Sequence, residues 1–404
     1  MYFLCSLYFV IPLFFSHIFA RWWSGFIIDN GIGHFESLKM SLFLMLMIFA
    51  TLEMFLQKWE KWKYFFQKIS QKYFIVGLSL FFIIGILIYP HENLRDLLLG
   101  IWEKQHGILL PLGLIWLGIL ISLLEKSEIR KISYAIIISA SLVSLIALIE
   151  MMGYNIFTWS SYGVVWSWWE VRSTSTLGNP NYVAGYLLMV LPIIFGTIKR
   201  GEKYTLMIFI FLAIFSTGSI IGISLATLYF IALISEKIFG KKTYIYLPLV
   251  FILMILVVYY VYHGNVRWLS LISRFILMRE TSLENSEHIG SFLFWSGPSG
   301  ILDMYEAPRS ALVNSYFPAN MIIDSSHNLF IDIFVQYGMV AVLSILGYIF
   351  YQWKCLDTMR KSGLILGLIF LSLNVFVISH LILIVFFISE KCLTKNLWGI
   401  KMKK

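Results

Sequence analysis

Charge is scarce in this 404-residue chain, because only 13% of its residues are Asp, Glu, Lys or Arg. Soluble proteins carry about 25% charged residues, so the deficit excludes an ordinary soluble domain. The 59% hydrophobic content and the mean hydropathy of +0.81 indicate an integral membrane protein. In such proteins Lys and Arg concentrate in cytoplasmic loops, so the net charge of +9 predicts an orientation in the membrane and not a nucleic-acid partner.

Cysteine is also rare, with three residues in the chain. Cys5, Cys355 and Cys392 fall in or near apolar runs or on loops predicted to be cytoplasmic. The sequence therefore predicts neither a structural disulfide nor a cysteine-based metal site. Glu284 and His288 are spaced like a one-turn metal pair, but a metal site needs three or four ligands, so we expect no bound metal.

A membrane-spanning helix needs about 20 apolar residues, and the apolar runs predict twelve such helices. They lie near residues 2–20, 40–57, 73–89, 107–124, 132–150, 182–198, 204–216, 219–235, 244–262, 328–352, 363–376 and 377–390. Two pairs, 204–235 and 363–390, are short for two spans and long for one. If both are tight hairpins, 22 of the 31 Lys and Arg residues lie on one side, which predicts that both termini are cytoplasmic.

The predicted fold is all-α, a polytopic transmembrane bundle in a single domain over residues 1–404. The longest stretch between apolar runs, 263–326, predicts an extracytoplasmic cap of short helices and loops. Seven of the ten arginines fall on the predicted outer side, against two of the 21 lysines. Arginine offers a planar fork of donors that matches phosphate oxygens, although membrane anchoring is an alternative reason for outer arginines.

The segment VRSTSTLGNPNYVAGYLLMVLP, residues 171–192, leads from a polar loop into an apolar run. Asn179 suits an N-cap and Pro180 suits the first helical position. The positive end of that helix is then a natural anion site, and Arg172 lies on a loop that can fold back over it. Alternatively, the Asn-Pro-Asn sequence only caps the helix, which is worth about 1 kcal/mol.

The segment DSSHNLFIDIFVQYGMVAVL, residues 324–343, has a similar design. One of residues 324–326 is expected to cap a helix whose first turn holds His327 and Asn328, and Gly338 is expected to mark a bend. A helix N-terminus disfavours imidazolium, so His327 would be neutral and able to accept a proton. The alternative is a capping histidine at the membrane interface.

The predicted topology places both segments on the same outer face, where the loop 263–326 adds Arg274 and Arg279. Several arginines together with a neutral histidine favour displacement of a phosphate or pyrophosphate leaving group by a deprotonated hydroxyl. Glu150, near the end of a predicted span, is a further functional candidate, unless it simply reaches the lipid headgroups.

The first segment resembles the Arg-x-x-Gly-Thr-x-x-Asn-Pro-Asn segment of the O-antigen ligase family. The second resembles the His-Asn-x-x-(Leu/Ile) segment of the same family, which closes a large periplasmic loop and enters a span through a glycine turn. The order of the two motifs, their spacing and the intervening loop also fit. The resemblance covers about residues 130–350.

Members of that family are transmembrane bundles of the bacterial inner membrane that take a glycan from undecaprenyl pyrophosphate on the periplasmic side. The resemblance implies that Arg172 and Arg274 contact the pyrophosphate and that His327 activates the acceptor hydroxyl, with inversion at the anomeric carbon. It implies no metal and no other cofactor. Asn179, Asn181, Asn328, Arg279 and Arg309 are further expected to bind substrate.

The acceptor is expected to be lipid A-core, as in O-antigen ligation, so the partners are this acceptor, the lipid-linked donor and membrane lipids. Related polymerases extend a second glycan, and related oligosaccharyltransferases glycosylate protein. A lipid-linked sugar transporter or flippase is an alternative of another class. The sequence departs from the family at Ile220, where an arginine is frequent, and at Met278, where an aromatic residue is usual. The loss of a cation at Ile220 keeps a divergent, polymerase-like member as the alternative to a standard ligase.

Overall fold

The computed structural model describes residues 1–14, 34–63, 98, 107–154, 172–239, 266–286, 311–316, 326–375 and 377–389. Within these ranges the chain forms helices and no strand. In chain order the helices are α1 (Tyr2–Leu13), α2 (His34–Gln57), α3 (Leu109–Ser122), α4 (Lys126–Met151), α5 (Pro180–Thr197), α6 (Arg200–Ser216), α7 (Ile220–Phe239), α8 (Val266–Ser286), α9 (Ala311–Tyr316), α10 (Leu329–Trp353), α11 (Thr358–Leu371) and α12 (Ile378–Ile388). A 3-10 turn at Ser175–Leu177 precedes α5.

Four of these helices are long and apolar enough to cross a membrane. They are α2 over Lys39–Gln57, α4, α5 and α10. Shorter apolar helices accompany them, namely α1, α3, α12 and the Ile220–Ser235 part of α7. The prediction of an all-α membrane protein is therefore confirmed. The predicted spans at 73–89 and 244–262 lie outside the described residues, and the predicted cap is described only in α8 and α9.

Both ambiguous apolar stretches fold as two helices. A turn over residues 217–219 separates α6 from α7, and its Gly218 has a φ of 59°, which glycine adopts without a Cβ clash. Residues 372–377 separate α11 from α12. The bend predicted at Gly338 is also present, because this glycine has φ 77° and ψ 170° inside α10.

Helix α5 forms the centre of the bundle and packs against α4, α6, α7, α11 and α12. Residues 183–194 are all buried. At Gly185 a Cβ atom would lie 2.4 Å from Cε1 of Phe370 and 2.8 Å from Nε2 of His380. The glycine therefore lets α11 and α12 approach closely, and Nε2 of His380 donates a hydrogen bond to the carbonyl of Tyr182 at 2.9 Å.

Cys355 is disulfide-bonded, so the prediction that no cysteine forms a disulfide is wrong. That prediction rested on assigning Cys355 to a cytoplasmic loop, where disulfides are rare, so the bond is at odds with that assignment.

Candidate functional site

The loop at residues 172–179, which precedes α5, is tied to its neighbours by its own hydroxyl groups. The bonds run from Ser173 to the carbonyl of Ala147 (2.7 Å), from Ser175 to that of Val143 (2.8 Å) and from Thr176 to that of Pro12 (2.6 Å). They attach the loop to α4 and α1, and the backbone N–H of Ser173 adds a bond to the carbonyl of Ser216 at the end of α6. The serines and threonines of the first motif thus fix the backbone that carries Arg172.

Glu150 supplies a second anchor for this loop. Its carboxylate is 4% exposed, and Oε2 accepts the backbone N–H groups of Thr174 and Ser175, each at 2.8 Å. Ser175 has a φ of 44°, in the left-handed region that few non-glycine residues occupy. A buried carboxylate therefore holds a strained stretch of backbone in place.

Arg172 folds back over the start of α5, as the sequence suggests. Its Nε donates to the carbonyl of Thr217 at 3.0 Å, and Nη2 donates to Oδ1 of Asn181 at 3.3 Å. Asn179 is the N-cap, as predicted, and its side chain accepts the N–H of Asn181 at 2.9 Å. The guanidinium thus lies between the N-terminus of α5 and the turn that joins α6 to α7.

The second motif differs in one respect from the prediction. The N-cap of α10 is Asn328, whose Oδ1 accepts the N–H groups of Phe330 at 2.9 Å and Ile331 at 3.2 Å, so the predicted cap among residues 324–326 is wrong. An Asn side chain caps as well as Ser or Asp, so the sequence offered several competing start points. His327 accordingly precedes the helix instead of lying in its first turn, and it has a φ of 61°.

A buried acid also holds this second loop. Asp332, in the first turn of α10, is 2% exposed. Its Oδ1 accepts the backbone N–H of Ser326 at 2.7 Å and the hydroxyl of Ser326 at 2.6 Å. His327 therefore lies between Ser326, which is bound to Asp332, and Asn328, which caps the helix.

The turn after α11 joins the cap region to the second motif. Nδ2 of Asn328 donates to the carbonyl of Ser372 at 2.8 Å. From α8, Nη1 of Arg274 donates to the carbonyl of Leu373 at 3.0 Å and to Oδ1 of Asn374 at 2.7 Å. Ser372, Leu373 and Asn374 of this turn thus accept hydrogen bonds from Asn328 and Arg274.

Arg274 also connects to the first motif. Burial lowers the pKa of its guanidinium from the ordinary value, and the nearby phenol of Tyr182 acts in the opposite direction. Tyr182 follows Asn181, which binds Arg172. The structure therefore brings both motifs and α8 to one end of the bundle. We call the residues that meet there the arginine–histidine cluster: Arg172, Asn181, Tyr182, Arg274, His327 and Asn328.

Other residues from the sequence analysis lie elsewhere. Arg279 is exposed on α8 and pairs with Glu280 at 2.7 Å, so it is not brought to the cluster, and Arg309 lies outside the described residues. Ile220 is the first residue of α7 and leaves the α6–α7 turn without a cation of its own. Met278 is buried, and its sulfur lies 3.9 Å from Nδ2 of Asn328, so it packs against the N-cap residue of α10.

Three contributors to this arrangement were not predicted from the sequence, namely Asp332, Tyr182 and Asn374. An acid inside an apolar run was a usable signal for Asp332, as it was for Glu150. Nothing in the local sequence marks Tyr182 or Asn374, because their roles depend on helices distant in the chain.

The donors and acceptors of the cluster suit an anion better than a metal ion. Guanidinium groups and the N-terminus of α5 attract negative charge, and no group of three His, Cys, Asp or Glu residues able to hold a metal occurs in the part of the chain that the structure describes. No family model, curated protein or solved structure matches the chain.

Proposed function

We propose that this chain is a membrane glycosyltransferase of the O-antigen ligase type. It would move a glycan from undecaprenyl pyrophosphate to an acceptor hydroxyl on the periplasmic face of the bacterial inner membrane. The observation that carries the proposal is that Arg274 and Asn328, the neighbour of His327, bind the same turn after α11, while Arg274 also lies near Tyr182, which follows the asparagine that binds Arg172. The resemblance of the two motifs to that family supports the same function.

The proposal includes twelve spans with both termini in the cytoplasm, a topology that leaves the disulfide-bonded Cys355 on the side where disulfides are rare. The helix ends that meet at the cluster are the start of α5, the start of α10, the end of α11 and the α6–α7 turn, and the proposed topology assigns all of them to the periplasmic side. At the opposite end, Lys58 and Glu128 form an ion pair between the end of α2 and the start of α4. The lysine-rich loops of the proposed topology belong to this opposite, cytoplasmic end.

In the proposed reaction the pyrophosphate gains negative charge as its bond to the sugar breaks. Arg172 and Arg274 would offset that charge, helped by the positive end of α5. Preorganised donors of this kind stabilise a transition state because they need no rearrangement when the charge develops. The bonds from Arg172 to Thr217 and Asn181 support such a preorganised role.

His327 would act as the general base. It takes the proton of the acceptor hydroxyl, whose oxygen attacks the anomeric carbon while the bond between that carbon and the pyrophosphate oxygen breaks. Undecaprenyl pyrophosphate leaves with the bonding electron pair, and the anomeric configuration inverts. A positioned histidine base contributes about 10²–10⁴-fold to such a rate. No step of this scheme calls for a metal or another cofactor.

The purified protein in proteoliposomes tests this proposal. We expect undecaprenyl-pyrophosphate-linked glycan plus lipid A-core to yield a glycosylated lipid A-core and free undecaprenyl pyrophosphate. Lengthening of the lipid-linked glycan, without any need for lipid A-core, would identify a polymerase instead. Movement of the donor between leaflets without a new glycosidic bond would refute a transferase and identify a flippase.

A further inference from the structure

We infer that Glu150 and Asp332 are positioning residues, the first for Arg172 and the second for His327. The inference deepens the proposed function and rests on it. It starts from a parallel between the two motifs, which are far apart in the sequence but are built alike. In each, a buried carboxylate accepts hydrogen bonds from the backbone within three residues of the side chain that is proposed to act.

Backbone strain marks the same two places. Ser175 and His327 are the two non-glycine residues with positive φ in the part of the chain that the structure describes, at 44° and 61°. Such conformations cost free energy and persist only where the surroundings enforce them, which is frequent at functional sites. Glu150 binds the N–H of Ser175 itself, and Asp332 binds the residue before His327, so each carboxylate helps to hold one of these conformations.

Few residues separate Arg172 from the backbone that Glu150 binds. Glu150 holds the N–H groups of Thr174 and Ser175, two and three residues after the arginine. Without these bonds the loop keeps its hydroxyl bonds to α4 and α1 but loses the acceptor at its left-handed residue, so we expect the guanidinium to shift from the carbonyl of Thr217 to which it donates. Because Arg172 is proposed to bind the pyrophosphate, the loss of Glu150 should appear mainly as weaker donor binding.

For His327 we expect the loss of its positioning residue to have a different kinetic effect. Asp332 holds both the N–H and the hydroxyl of Ser326, and Asn328 stays attached to the turn after α11 through its own amide. Loss of Asp332 therefore releases one side of His327 and leaves the two arginines in place. Because His327 is proposed to act only during bond formation, kcat should fall while the donor KM changes little.

The test measures donor binding and transfer in nanodiscs for Glu150→Ala and Asp332→Ala. We expect Glu150→Ala to weaken binding of undecaprenyl pyrophosphate and raise the donor KM by about tenfold or more, since a misplacement of about 1 Å can cost 10²-fold. Asp332→Ala should lower kcat per donor-binding site by about 100-fold, with donor KM within about threefold of wild type. Counting donor-binding sites removes the effect of any unfolded fraction.

Conservative variants separate positioning from other roles. In Glu150→Gln and Asp332→Asn a single amide oxygen can still accept both hydrogen bonds, so we expect each to recover most of what the alanine variant loses. Asp357→Ala is the matched control, because Asp357 caps α11 through the N–H of Arg360 at 2.8 Å and belongs to the proposed cytoplasmic end. It should cost stability without changing KM or kcat per site.

The outcomes are distinct. Alanine variants that reduce only the number of donor-binding sites, like Asp357→Ala, would overturn the inference and leave the transferase proposal intact. Amide variants as inactive as the alanine variants would also overturn it, because a positioning oxygen is retained in them. A wild-type protein that neither binds undecaprenyl pyrophosphate nor transfers glycan would overturn both.

Discussion

Replacing Arg172 by lysine separates the charge of this residue from its hydrogen-bond geometry. The guanidinium bridges two acceptors, since Nε donates to the carbonyl of Thr217 at 3.0 Å and Nη2 donates to Oδ1 of Asn181 at 3.3 Å. Lysine keeps the positive charge but carries it on one nitrogen at the end of a flexible chain. A single ammonium cannot take the place of two nitrogens of a planar fork, so at least one bond is lost.

The size of the effect follows from that lost bond. A hydrogen bond to a charged group contributes about 1.5–3 kcal/mol, and each 1.4 kcal/mol is a factor of ten in affinity. The ammonium group of the lysine is then ordered only when the pyrophosphate binds, whereas the guanidinium of the wild type is already held in place. We therefore expect Arg172→Lys to weaken donor binding by about 10- to 150-fold.

A titration with a fluorescent undecaprenyl pyrophosphate analogue, with the protein in nanodiscs, measures this change. Arg130→Lys is the matched control, because Arg130 is exposed near the start of α4 and donates to the hydroxyl of Tyr134 at 3.2 Å, at the end of α4 far from the cluster. The control should bind the analogue as the wild type does. Equal affinities for wild type and Arg172→Lys would refute the view that a preorganised guanidinium at Arg172 binds the pyrophosphate, whereas an equal loss in Arg130→Lys would indicate a general effect of lost arginines.

Two further predictions concern the base and the packing. His327→Ala should reduce transfer by about 10²–10⁴-fold with donor affinity unchanged, because Arg172 and Arg274 remain; full transfer in membranes would exclude the base role. Gly185→Ala should destabilise the protein by about 1–3 kcal/mol through overpacking, seen as a lower melting temperature. Gly347→Ala, whose Cβ would meet nothing within 4 Å, should stabilise the helix by about 0.5–1 kcal/mol, and equal shifts in both variants would contradict the packing argument.

Local sequence rules predicted much of the helical framework. Long apolar runs gave α4, α5 and α10, the Asn-Pro-Asn sequence gave the start of α5, and Gly338 gave the bend in α10. These features depend on neighbouring residues, for which propensity and capping rules suffice. The predicted N-cap of α10 was wrong by a few residues, because Ser326 and Asn328 both suit a cap. The choice between them depends on Asp332 and the turn after α11.

The contacts that build the candidate site were beyond those rules. Thr176 donates to the carbonyl of Pro12 across 164 positions of sequence, and Arg274 reaches Asn374 across 100. Periodicity and charge counts identify which residues are unusual in an apolar chain, and they picked out Arg172 and His327. They do not say which helix ends lie side by side, so they gave no reason to join Arg274 to the turn after α11.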